Sequence, residues 1–470
     1  MSEFRLRYIC WLILGLAVPL AAQTGGSVSA QIQQLTAQLA AAQARLAADQ
    51  AALTQLQGQV AQLQQETAAA ADQQAVTQGQ VASQEQTKVS SGSLYHLTLS
   101  GLMLMNLYGN QGRVENSDVP NLAFGVPPGA ATGDLGASLR QSEISLRVAG
   151  PELWGGKTSG ELIADFFGGL PNSLDGSAGG LARLKIARGR LDWSNTSLLF
   201  GLDTPLISPL EPTSYASVAV PAFGYSGNLW TWTPQVAVER RTALGAAWTN
   251  TLQAGVMDPL SGEFPASTRS RKPEPGEASR QPGFELHEGL SRRLFDRGLS
   301  LGAGAYTSDQ YYGFGRSVRA WAVTGDWQVP LTPWLEISGE AFRGRALGGL
   351  WGAVGDSIVS SATDLTQPGT QIAGLNAAGG WTQLKFTASQ TVEFNAAYGL
   401  DDPFSGDLQR FAAANPSQPF QSNRTWLANV INRPRSDLIL ALEYRRLATT
   451  PFGRPAAHAG QLNAAVGVIF

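Results

Sequence analysis

The chain has 470 residues, 43% apolar and only 15% charged, with 53 glycines, 25 prolines and a net charge of -3. So few charges, against about 25% in soluble globular domains, argue against a cytosolic enzyme. A mean hydropathy of -0.08 with a single long apolar run excludes a polytopic helical membrane protein, and the charge balance leaves no footprint for nucleic acid.

The first 22 residues have the layout of a secretory signal. Arg5 and Arg7 form a positive start, Tyr8 to Leu20 an apolar stretch, and Ala21-Ala22 a small-residue exit. The other reading of this run is a retained membrane anchor. The one cysteine, Cys10, lies inside it, so cleavage leaves an exported chain without thiol chemistry or a Cys-based metal site.

From Ile32 the spacing becomes a heptad. Ile32, Leu39, Leu46, Leu53 and Val60 recur every seven residues, and Leu35, Ala42, Asp49, Leu56 and Leu63 follow three later. A 3.5-residue repeat keeps one seam facing a partner, which predicts a coiled coil over 23-67, with a heptad rod about 50 Å long. A lone Ala-rich helix is the alternative. Asp49 is costly in such a seam unless paired, and Arg45 lies one turn before it, as a register device or a solvated defect. Residues 68-92, rich in Gln, Ala, Ser and Thr, read as a linker.

Beyond residue 93 the period is two. Ile144, Leu146 and Val148 alternate with Glu143, Ser145 and Arg147, and Leu438, Leu440, Leu442 and Tyr444 with Asp437, Ile439, Ala441, Glu443 and Arg445. Sixteen strands are predicted, near 94-108, 138-149, 157-168, 181-193, 195-202, 228-240, 243-257, 283-295, 298-306, 316-329, 334-345, 380-388, 390-400, 423-432, 436-447 and 459-470. Long connections such as 109-137, 203-227, 258-282, 346-379 and 401-422 alternate with short ones at Ser194, Arg241-Thr242, Asp296-Arg297, Ser389 and 433-435. That segregation suits an all-β transmembrane barrel of about 16 antiparallel strands over 93-470, with short periplasmic turns and long outer loops, and not a sandwich. An even count returns both ends to the periplasmic side, where the coiled coil would stand. Tryptophans 154, 193, 230, 232, 321, 327, 334, 381 and 426 near strand ends are expected in interfacial girdles.

The signal, the coiled coil, sixteen alternating strands and the terminal Phe470 together resemble the Gram-negative general porins, most closely the trimeric DcaP-type porins. Arg183-Leu184-Lys185-Ile186-Ala187 followed by Leu199-Phe200-Gly201-Leu202-Asp203 is similar to the porin pattern of a basic strand and then a strand running into the third loop. Leu202 replaces the usual Gln, and the aromatic and serine that follow in the family are absent. The resemblance implies homotrimers in the outer membrane, a third loop folded into the lumen, passage of small hydrophilic solutes, and Phe470 as the signal read by the barrel-assembly machinery.

Arg183, Lys185, Arg188 and Arg190 on the fourth strand, with a parity shift near Ala187 suggesting a bulge, are the candidate constriction, facing Asp203 and Glu211 on a loop with four prolines. Of the 33 basic residues 28 are arginine, whose donor fork suits dicarboxylates or phosphate-like anions. These arginines could instead only balance the acidic loop. Arg147, Arg241, Lys385 and Arg445 share the lumen parity, offset by Glu143, Glu161, Asp165, Glu239, Glu393 and Glu443. His96, His287 and His458 lack metal-ligand spacing, and no residue set singles out catalysis, so no enzyme activity, cofactor or metal is expected. The competing expectation is an envelope spacer or tether that uses the rod.

Overall fold

The computed structural model describes residues 95–170, 179–262 and 271–470. The expected signal, heptads and linker, 1–92, lie outside them. The unit Leu94–Phe470 is a single antiparallel sheet that closes on itself. In chain order its strands are β1 His96–Gln111, β2 in two segments Gly133–Ser138 and Glu143–Leu153, β3 Gly156–Asp165, and β4 Arg183–Asp192. Then come β5 Thr196–Asp203, β6 Thr233–Leu244, β7 Trp248–Met257, and β8 Gly283–Leu294. These are followed by β9 Arg297–Tyr311, β10 Ser317–Pro330, β11 Leu335–Arg345, and β12 Asn376–Thr387. The last four are β13 Val392–Pro403, β14 Phe420–Arg435, β15 Leu438–Pro451, and β16 Ala457–Ile469. Each pairs with its neighbour, and β1 pairs with β16, so no open edge remains.

The alternation read from the sequence sets which side faces out. On β1, Leu97, Leu99, Met103, Met105 and Leu107 are exposed, whereas Leu104, Asn106, Tyr108 and Asn110 point inward and are buried. On β15, Leu440, Leu442 and Tyr444 face out and Glu443, Arg445 and Leu447 face in. An apolar outer band around a polar interior is the inverse of a soluble protein, and it is stable only with lipid as the outer solvent.

Closure uses the last residue. Gly101 and Phe470 exchange two backbone hydrogen bonds, of 2.9 and 3.1 Å. A Cβ on Gly101 would stand 2.5 Å from the Phe470 ring and 2.7 Å from the Glu143 carbonyl, so only glycine lets the terminal ring lie flat there.

The structure corrects several boundaries. The short connection placed at Arg241-Thr242 lies at 245–247, because β6 and β7 stay in register from Gln235 opposite Met257 to Leu244 opposite Trp248. β2 breaks at 139–142, where the Ser142 hydroxyl replaces the ladder by bonding the Leu104 N–H at 2.9 Å and its carbonyl at 3.3 Å. The fifth and eighth outer connections, 312–316 and 452–456, are short, so loop length segregates less cleanly than expected. Residues 228–232 belong to loop 3, 204–232, and not to β6. Trp230 and Trp381 are not girdle residues: they are buried at 6% and 2%, packed among loop residues inside the barrel. Trp154, Trp334 and Trp426 are exposed, as a girdle requires.

Candidate functional site

An extra residue divides the basic strand. The β3–β4 register slips between Ile163 and Ala164, so Lys185 is a bulge residue, and Arg183 and Lys185 point inward along with Arg188 and Arg190. The bulge that the parity shift implied therefore lies two residues before Ala187. It also separates two environments. Arg183 chelates Asp165 at 2.5 and 3.1 Å and donates to the Ala219 carbonyl at 2.7 Å. Lys185 donates to Glu143 at 2.5 Å and to the Val218 carbonyl at 2.6 Å. Both also sit over the Trp232 ring. These two cations are thus spent on fixing loop 3 (204–232) to the wall.

The other two open onto a groove of about 480 Å³ lined by His96, Thr98, Arg147, Ser159, Glu161, Arg188 and Arg190. Glu161 lies at its floor, holding Arg147 at 2.7 Å and Arg188 at 2.6 Å, and Arg188 also reaches Asp203 at 3.2 Å. Arg190 bridges Asp192 at 2.7 Å and Glu239 at 2.8 Å, and Arg241 pairs with the same Glu239. The depth of burial is unequal: the Arg147 side chain is 68% exposed and that of Glu161 9%. Water and solutes in the groove therefore meet guanidinium groups with Glu161, Asp203 and Glu239 more deeply buried behind them, whereas Asp192 is as exposed as Arg190.

Loop 3 is bonded to inward-facing side chains nearly all the way round the wall. The Leu206 N–H donates to Glu285 on β8 (2.7 Å), the Leu210 N–H to Glu340 on β11 (2.7 Å) and the Thr213 N–H to Gln383 on β12 (2.7 Å). Ser214 donates to Glu443 on β15 (2.6 Å), and Asn106 on β1 donates to the Tyr215 carbonyl (2.9 Å). The Val218 N–H then meets Gln141 (2.8 Å), before Lys185 and Arg183 take the carbonyls of Val218 and Ala219. Glu211, on the same loop, is exposed.

Solved structures that share this architecture include two outer-membrane channels. The outer membrane channel DcaP of Acinetobacter baumannii aligns with a TM-score of 0.61 at 15% identity, over 81% of this chain and 99% of that one. The anion-selective porin from Comamonas acidovorans aligns at 0.52 and 11% identity, over 80% and 100%. The chain has the porin fold. No family model matches it, and no curated protein does.

Within the porin fold the expected residues fall into three groups. Arg147, Arg188, Arg190 and Arg241 cluster around the groove, with Asp203 at its edge. Arg183 and Lys185 hold loop 3. Arg445 faces inward but is 2% exposed, covered by Ser217 and by the Pro120 carbonyl of loop 1 (112–132). Loop 1 also enters the porin interior: the Ala123 N–H bonds Thr449 at 2.8 Å and the Asn121 carbonyl takes a bond from Asn423 at 2.8 Å.

Sequence reasoning missed the residues that receive the loops. Glu285, Glu340, Gln383 and Gln141 all lie on inward parity, and buried carboxylates or amides there were a usable signal. It also missed a stack that joins loop 3 to loop 6 (346–375): Tyr225 and Trp351 at 4.3 Å, Trp351 and Trp230 at 4.5 Å, and Trp230 and Trp232 at 5.1 Å. No local spacing could have announced a contact between two loops.

Proposed function

We propose that the chain is an outer-membrane diffusion channel for small hydrophilic anions of dicarboxylate or phosphate-like chemistry, with its lumen narrowed by loop 3. The observation that carries this reading is the inequality of burial in the groove, where Arg147, Arg188 and Arg190 are presented to solvent over a buried Glu161. In a narrow passage with low-dielectric walls the nearest fixed charges set the local ion concentration, so the exposed cations outweigh the more buried Glu161, Asp203 and Glu239. Arginine forks also match planar or tetrahedral oxyanions without holding one hydrated ion tightly.

Reversal potential of the purified protein in a planar bilayer under a salt gradient tests the reading. A potential of the sign set by anion flux, shrinking as salt rises, is expected; cation preference at low salt would overturn it. Assembly as a homotrimer, a periplasmic rod over 23-67 and use of Phe470 by the barrel-assembly machinery belong to the same proposal.

A further inference from the structure

Among the described residues, the outer surface of the barrel carries a group of basic side chains that no acid pairs. Arg424 on β14, Arg446 on β15 and His458 on β16 are all exposed, and among the described residues none of them makes a hydrogen bond or ion pair. By contrast Arg319, on the outward face of β10, is chelated by Asp309 at 2.9 and 3.2 Å. On β13 Asp401, opposite Asn423, is buried inside the barrel, and Asp402, the next outward residue after Leu400 and one row nearer the mouth, makes no ion pair with Arg424.

Strand register gathers the three. Arg446 lies between Trp426 and Gly460, and Ala448, two residues on, lies between Arg424 and His458. With strands about 4.8 Å apart, the three side chains stem from a triangle roughly 10 Å wide. A notch of about 270 Å³ beside it is lined by Gln111, Thr132, Tyr444, Arg446 and His458. Below come Trp426 and Tyr444, 5.3 Å apart, with Tyr398 paired to Trp426.

The height of this group decides what it meets. Arg446 is eight residues above Leu438, the first residue of β15 at the short-turn end. At about 3.3 Å per residue and a tilt near 40° that is roughly 20 Å, with Arg424 and His458 near 25 Å, the top of a barrel's apolar band. Side chains there stand at the lipid headgroups of the long-loop side. A guanidinium at the edge of hydrocarbon is unfavourable unless an anion meets it, and its fork matches phosphate.

We propose that Arg424, Arg446 and His458 form a seat for the phosphate groups of a phosphorylated glycolipid in the outer leaflet, with Trp426, Tyr444 and Tyr398 against its sugar and upper acyl carbons. The assignment rests on the outer-membrane reading, and fractionation of cells expressing the full chain tests that reading separately.

The test is native mass spectrometry of the refolded full chain with bisphosphorylated lipid A and with its dephosphorylated counterpart. Wild type, Arg424→Gln/Arg446→Gln and the control Arg319→Gln are compared, each checked for heat-modifiable migration. Wild type and control should retain the phosphorylated lipid. The double variant should bind it roughly thirtyfold more weakly, since each cation at an anionic lipid surface contributes roughly a factor of five. Equal binding by the double variant, or no preference for the phosphorylated lipid, would overturn the proposal. So would inorganic phosphate occupying the seat as tightly as the lipid. Loss of oligomer in the double variant with lipid binding unchanged would assign the patch to a second copy and overturn it too.

Discussion

Arg445 donates to Glu443 through Nε at 3.1 Å and Nη2 at 2.6 Å from two residues away on the same strand, and the two side chains are only 2% and 3% exposed. The same guanidinium reaches Ser217 of loop 3 at 2.6 Å and the Pro120 carbonyl of loop 1 at 3.3 Å, so one buried charge pair ties the wall to both inserted loops. Removing only the cation strands a carboxylate. Arg445→Ala should cost about 3–5 kcal/mol, and Glu443→Gln added to Arg445→Met should recover much of that. Denaturant unfolding of refolded barrels measures it; a loss under about 1 kcal/mol for the single variant would show that the clasp is idle.

The divided basic strand predicts divided phenotypes. Gln at Arg147, Arg188 and Arg190 should move the reversal potential toward cations at low salt while the barrel still folds, because charges facing water tolerate replacement. Gln at Arg183 and Lys185 should instead release the Val218 and Ala219 carbonyls, raising current noise and protease access to loop 3 with a smaller change in selectivity. The opposite pattern in bilayer recordings would reverse the assignment of the two sets.

Gly101 and Phe470 predict a folding defect. Gly101→Leu should lower the yield of heat-modifiable barrel about as much as deleting Phe470, since either change denies the terminal ring its place. Normal yield from both variants would remove the closing role of the last residue.

Glu115 makes loop 1 sensitive to pH. Its carboxyl accepts from the N–H groups of Asn121 at 2.6 Å and Leu122 at 2.7 Å, and loss of surrounding water pushes it up to about 7, with those two N–H groups opposing the shift. A carboxyl raised above its unfolded value of 4.5 holds its proton more tightly when folded. Its contribution is therefore complete below about 4.5 and fades as pH rises through about 7. Hydrogen exchange in 112–132 should be slower at pH 5 than at pH 8 after correction for intrinsic rates, and Glu115→Gln should abolish the difference. The same pH dependence in the variant would exclude this group as its source.

The heptads predict a contribution to assembly. Deleting residues 31 to 67 should leave a heat-modifiable barrel while weakening a trimer held in part by a continuous apolar seam. Native gels of the truncated and full chains decide it, and equal oligomer stability would leave the rod without that role.

By itself the sequence determined the barrel and its two faces. A period of two is a local property, and each inward or outward assignment from Glu143 to Arg445 follows from one strand alone, so sixteen strands and their parity were legible. Depth was not legible. Parity put Arg147 and Arg445 in the same lumen, yet one is 68% exposed and the other 2%, because loops 1 and 3 cover the second and leave the first open. Nor could parity distinguish Arg183 and Lys185, bound to loop carbonyls, from Arg188 and Arg190, which face the groove. The same limit applied to Trp230, whose place near a strand end suggested a girdle until loop 6 supplied Trp351 to stack on it. Strand periodicity is written in neighbouring residues, whereas the path of loop 3 is set by hydrogen bonds to side chains 33 to 229 positions away, and only the folded chain brings those together.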